Sequence, residues 1–170
     1  MKVFVRVLIC FLLIFSAFGS SYAMGQFFMF DNPLVGEKAP DFTVKTTSGQ
    51  EVNLTQVRDG QNALVFFWAT WCPHCREQLR DLNGPHGEEI EKKGIKIILV
   101  DIGETADQVN SYIKKNRIRF DVLLDQEEKV SDLYNLVGVP TFFFIDKEGL
   151  VRLVEHSLPE SYEKTFADKK

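Results

Sequence analysis

The sequence predicts an α/β protein with a central mixed sheet flanked by helices and a β-hairpin added at the N-terminal end of the sheet. Three observations lead there. Residues 63–68 are a short, continuously apolar run and 95–100 and 141–145 are short and mostly apolar, as expected of strands covered on both faces. Between them lie segments with apolar residues at helical spacing, and strands alternating with helices imply parallel neighbours. The chain has 170 residues, enough for one domain at roughly 100–200 residues each.

Composition narrows the function classes. The chain is 45% hydrophobic and 26% charged with a net charge of −4, and that acidic balance argues against a nucleic-acid partner, which needs a clustered basic face. With 15 Phe against 11 Gly and 6 Pro, it is neither disordered nor fibrous. Three cysteines are too few for a small disulfide scaffold.

Residues 1–23 stand apart. Lys2 and Arg6 precede an apolar run over 7–18, and Ser21-Tyr22-Ala23 closes the segment with small residues at the −3 and −1 positions. This is the pattern of a cleavable secretory signal, and the run is shorter than the about 20 residues a bilayer span takes. Cys10 lies inside the run behind Ile9, where it serves as a small hydrophobe. Removing 1–23 leaves 18 basic against 24 acidic residues, a net charge of −6, and leaves Cys72 and Cys75. A single cysteine pair, exported to a periplasmic or other extracytoplasmic compartment where disulfides persist, is the first functional clue. An uncleaved leader would instead tether the domain to the membrane. Residues 24–35, with three Phe and two Met but no period, read as a tether. The domain proper is expected over 36–170.

The elements follow in order. Phe42 and Val44 alternate with polar residues, residues 47–50 turn, and Val52 and Leu54 return, a hairpin signature. Residues 63–68 form the first buried strand and residues 73–82 the first helix, which the Asn83-Gly84-Pro85 stretch ends. Helix resumes from Glu88 until Gly94, and residues 95–100 are the second buried strand. Thr105 is a plausible N-cap for a helix over 105–115 with Val109, Tyr112 and Ile113 inward. A strand at 120–124 precedes a helix at 127–137, with Val130, Leu133 and Leu136 or Val137 inward. Residues 141–145 are the third buried strand, residues 146–149 turn it back into 150–154, and a last helix starts near Ser157 with Leu158, Tyr162 and Phe166 four apart.

The motif that carries chemistry is Trp71-Cys72-Pro73-His74-Cys75, where the first buried strand passes into the first helix. A sulfur at a helix N-terminus meets unpaired N–H groups and the positive end of the dipole, both of which favour thiolate. Cysteines three apart on a helix share a face and lie within disulfide reach. One sulfur can attack a substrate disulfide and the other can resolve the mixed disulfide. Pro73 suits the first helical turn. Placement at the strand end is expected to expose the first sulfur. The competing uses are buried structural cysteines and a metal site, but a zinc site lacks a second CxxC, and His86 and His156 lack finger-like spacing and read as surface residues.

Together with Val139-Pro140-Thr141 and the opening Gly36…Ala39-Pro40-Asp41-Phe42, the motif resembles the thioredoxin superfamily. Within it, the chain is similar to exported TlpA/ResA-like disulfide reductases of the AhpC/TSA-redoxin group over about residues 34–156. The resemblance implies a thioredoxin-like fold and a thiol–disulfide oxidoreductase that needs no metal or organic cofactor. Its partners would be cysteine-containing proteins and an exported or membrane-bound thiol–disulfide electron donor, with reduction of apocytochrome cysteines as one family task. It makes Cys72 the attacking and Cys75 the resolving cysteine. Pro140 falls in a cis-proline loop, and the Val139 backbone pairs with an extended substrate. Trp71 flanks the site, with core packing as its alternative role.

The chain departs from the pattern in three places. Phe66 stands six residues before Cys72 where thioredoxins place an acid, Pro73 replaces the Glu common in ResA-like members, and Arg80 replaces a helix-kinking proline. Glu77 is the remaining carboxylate to consider as a proton relay. The Pro73-His74 pair matches DsbA-type oxidases, and His74 could donate to the Cys72 thiolate. The expected potential lies between about −270 mV for thioredoxin and about −120 mV for DsbA. The alternatives carried forward are a peroxiredoxin-like peroxidase, for which Ala69 stands where such enzymes have Thr, a DsbA-like oxidant, and a metal-binding module using the cysteine pair.

Overall fold

The computed structural model describes residues 32–166. The signal segment expected at 1–23 and the tether's first part, 24–31, lie outside the described residues. Asn32 to Val35, the rest of that tether, pack on the domain: Asn32 Nδ2 donates to the Tyr134 carbonyl at 2.8 Å, and Val35 bridges Val151.

The hairpin strands β1 (Thr43–Thr46) and β2 (Glu51–Asn53) pair antiparallel. Leu54, expected on the return strand, instead begins helix α1 (Leu54–Arg58). The cause is a reciprocal cap, in which the Gln56 N–H donates to Asn53 Oδ1 at 2.8 Å and the Asn53 N–H donates to Gln56 Oε1 at 3.2 Å. Strand β3 (Asn62–Trp68) leads to α2 (Pro73–Leu82) and, after two residues, to α3 (Pro85–Lys92). Helix resumes at Pro85, earlier than the expected Glu88, because proline is well suited to a first helical position. A Cβ on Gly87 would overlap the Leu82 carbonyl, so only glycine lets α3 fold back this tightly on α2.

Strand β4 (Ile95–Ile102), helix α4 (Ala106–Asn116) with Thr105 as its N-cap, and β5 (Val122–Asp125) follow. Helix α5 (Lys129–Leu133) is much shorter than the expected 127–137. The Asp125 carboxylate starts it, accepting from the N–H groups of Val130 at 3.0 Å and Ser131 at 2.7 Å. Asn135 in the left-handed region (φ 51°) and a Leu136 N–H to Ser131 carbonyl bond of 3.0 Å end it, a Schellman-type stop. Val130 is buried as expected and, of the pair Leu136 or Val137, Leu136 packs on the core while Val137 is exposed; Leu133, expected inward, is exposed as well. Strands β6 (Thr141–Ile145) and β7 (Val151–Glu155) complete the sheet. The last helix expected from Ser157 reduces to one 3₁₀ turn at Tyr162–Phe166, because Pro159 lacks a donor and disfavours helix at Leu158.

The seven strands form one mixed sheet in the order β2-β1-β5-β4-β3-β6-β7. Strands β3, β4 and β5 are parallel, β6 runs antiparallel to β3, and β7 runs antiparallel to β6. Alternation along β3 serves both layers. Leu64, Phe66 and Trp68 pack with α2 and α4, whereas Ala63, Val65 and Phe67 pack with α1, α5 and Tyr134. Phe66, at the position where thioredoxins place an acid, stacks on Phe142 with ring centres 4.3 Å apart.

Candidate active site

Central strand β3 delivers the chain to residues 69–72, and Cys72 becomes the N-cap of α2 with Pro73 in the first turn. Cys72 and Cys75 are disulfide-bonded, with Cα atoms 5.2 Å apart. The Cys75 N–H donates to Cys72 Sγ at 3.1 Å. The first sulfur therefore occupies the acceptor position that a capping oxygen would take, where a helix N-terminus favours negative charge.

The sulfurs differ in access. Cys75 is fully buried, and Cys72 keeps 4% of its surface. The expected open exposure of Cys72 is thus corrected to a narrow one, since its Sγ lies 3.8 Å from the Val139 carbonyl oxygen. The Val139–Pro140 peptide is cis, and the half-buried pair faces the disulfide. Trp71 is 65% exposed, which removes core packing as its role.

His74 and Glu77 point away from the sulfur chemistry. His74 Nδ1 lies 3.6 Å from Glu77 Oε2, and both side chains are exposed. Among the hydrogen bonds of the described residues none joins His74 to Cys72, so the expected donation is not made in the disulfide form. Glu77 is on the solvent side of α2, away from the buried Cys75, which removes it as the nearby proton relay.

Two acids that the sequence reading missed lie under the motif. Glu104 is buried and accepts from both the Thr70 N–H and the Thr70 hydroxyl at 2.6 Å, fixing the loop two residues before Cys72. Asp101 pairs in register with Trp68, so it lies on the same face of the sheet as the cysteines. Both its carboxyl oxygens and the Trp68 indole N–H are buried without a hydrogen-bond partner. Burial, then the charge of Glu104, push the Asp101 carboxyl up to about 9, so it is neutral at physiological pH. The available signal was an acid one residue before the end of a mostly apolar strand.

A cysteine pair opening the helix after a central strand, faced across the disulfide by a cis-proline loop, can be set beside known proteins. The AhpC/TSA family matches residues 35–154. The chain belongs to that family. It is similar to the thiol-disulfide oxidoreductase ResA of Bacillus subtilis, 30% identical over 127 residues that cover 74% of this chain and 70% of that one. The ResA of Geobacillus thermodenitrificans is 32% identical over 120 residues, covering 71% and 68%. Among solved structures, a putative thiol:disulfide interchange protein DsbE from Chlorobium tepidum superposes with a TM-score of 0.68 at 28% identity, covering 77% of this chain and 94% of that one. A putative protein disulfide isomerase from Bacteroides thetaiotaomicron gives 0.67 at 25% identity, covering 77% and 84%. This AhpC/TSA member is thus a TlpA/ResA-like protein of the thioredoxin superfamily, with the thioredoxin-like fold and thiol–disulfide oxidoreductase activity on thiol-containing proteins.

Proposed function

We propose that the protein exchanges disulfides with cysteine-containing proteins outside the cytoplasm, with Cys72 attacking and Cys75 resolving. The observation that carries this reading is the Cys72 sulfur at the start of α2, receiving the Cys75 N–H and retaining surface that Cys75 lacks. In the reductive direction, the Cys72 thiolate attacks a substrate disulfide, forms a mixed disulfide and releases one substrate thiolate, which takes up a proton. Cys75 then loses its proton and attacks the Cys72 sulfur. The second substrate thiol leaves, and two electrons have passed to the substrate. An exported or membrane-bound dithiol donor restores the reduced pair.

Exposed Trp71 and the Val139 backbone offer the substrate chain its contacts, Pro140 shapes that loop, and Pro73 and His74 set a potential between those of thioredoxin and DsbA. The domain over 36–170 acts behind a leader at 1–23, whose basic, apolar and small-residue sequence supports export. Insulin reduction coupled to dithiothreitol tests the core of the proposal. Cys72→Ser should abolish turnover and Cys75→Ser should accumulate a mixed disulfide, whereas unchanged turnover in Cys72→Ser overturns the assignment. Cell fractionation with N-terminal mass analysis tests export, for which a mature chain starting after Ala23 is expected.

A further inference from the structure

The loop at 138–141 carries the Val139 backbone toward the disulfide, yet Pro140 supplies no N–H with which to anchor it. The β6–β7 ladder stops at the Phe142–Glu155 pair, one residue short of the loop. What continues the pairing is a side-chain chain of hydrogen bonds. The Thr141 hydroxyl donates to the Gly138 carbonyl at 2.7 Å. His156 Nδ1 lies 2.9 Å from the Pro140 carbonyl oxygen and 3.2 Å from Thr141 Oγ1.

Counting hydrogens assigns the donor. A carbonyl oxygen only accepts, so the proton in the Pro140 contact belongs to His156 Nδ1. The one Thr141 hydroxyl proton is already committed to Gly138, so Oγ1 accepts from the same Nδ1–H in a shared bond. The carbonyls on either side of Val139 are thereby both held, while the Val139 carbonyl remains directed at Cys72 Sγ. A peptide unit whose two neighbours are fixed has its own orientation fixed.

We propose that His156 is a positioning residue for substrate binding: its Nδ1–H, relayed through Thr141, holds residues 138–141 in the shape that presents the Val139 backbone to an extended cysteine-containing chain. This inference rests on the proposed pairing of Val139 with substrate. His156 is exposed, so replacing it removes the clamp without opening the core.

The test compares His156→Ala, His156→Phe and His156→Asn. Phenylalanine keeps a ring without the donor, and asparagine places an amide N–H as many bonds from Cα as Nδ1. Each variant is assayed with a disulfide-containing peptide and with a small aromatic disulfide that has no peptide backbone. We expect Ala and Phe to raise KM for the peptide about 5-fold with kcat within about 2-fold. The small disulfide should react at the wild-type rate in every variant, and Asn should restore the peptide KM. In the wild type, nitrogen NMR should find the neutral His156 ring protonated on Nδ1. An unchanged peptide KM in both Ala and Phe, an Asn variant as poor as Ala, equal losses on both disulfides, or a neutral ring protonated on Nε2 overturns the proposal. If the wild type turns over neither disulfide, the proposed function has failed instead, and the NMR measurement still judges the clamp.

Discussion

Residues 69–72 carry Cys72 into the disulfide with Cys75 and residues 138–141 face it through the Val139 carbonyl, and the protein secures the two loops by different means. The loop ahead of α2 is held from beneath by a buried acid, because Glu104 takes both the N–H and the hydroxyl of Thr70. The loop ahead of β6 is held by the buried Thr141 hydroxyl and, at the surface, by the exposed His156. A charge-assisted bond in a poorly solvated site is strong, and its loss leaves bare polar groups. A bond close to water can be replaced by water. The loop that carries Cys72 is therefore secured through a buried acid, and the loop that carries Val139 in part through a side chain in contact with water.

Cutting the inner clamp should have the largest effect. Glu104→Ala should lower unfolding free energy by about 3 kcal/mol in urea denaturation, since two bonds to an acid are lost and the Thr70 donors are stranded. A loss below about 1 kcal/mol would erase the contrast between the loops. Asp101 sharpens the same point through pH. Its folded carboxyl titrates at about 9 against an ordinary 3.8, so between those values the folded state holds a proton that the unfolded state has released. Stability therefore falls as pH rises across that window. Asp101→Asn removes this dependence. Its advantage over the wild type should be absent near pH 4 and exceed about 1 kcal/mol by pH 8 in thermal or urea unfolding. A flat difference between the two proteins would show that Asp101 ionises normally.

The outer loop should respond more mildly. Thr141→Val removes the hydroxyl that links Gly138 to His156, and should cost about 1 kcal/mol of stability while raising KM for peptide disulfides. Smallest is Val137→Ser, at a side chain 86% exposed. Its unfolding free energy should stay within about 0.5 kcal/mol of wild type in urea denaturation.

The strands and the cysteine pair were legible because local chemistry dictates them. Short apolar runs bounded by turn residues read as doubly covered strands, and CxxC at a strand-to-helix junction leaves few other uses. The α5 boundary was not legible from periodicity, because Leu133 and Val137 repeat at helical spacing while Asn135 breaks the helix in between. Pro159 did carry a warning against a helix from Ser157, and the Asn53/Gln56 pair carried one for α1. Glu104 and His156 were beyond the reach of spacing altogether, since their partners, Thr70 and the 138–141 loop, are distant in sequence. Asp101 was visible as an acid in a mostly apolar strand, but its place beside Trp68 comes only from the register.

The Val35–Val151 and Lys38–Leu150 bridges have a consequence for how the molecule behaves among unfolded chains. They cover the start of the outermost strand on that flank, and Arg152 and Glu155 place charges farther along it. The opposite rim is β2, only three residues long. Neither border invites strand-by-strand stacking with a neighbour, so an oxidoreductase that acts on thiol-containing proteins carries little risk of being drawn into their aggregates through its own sheet.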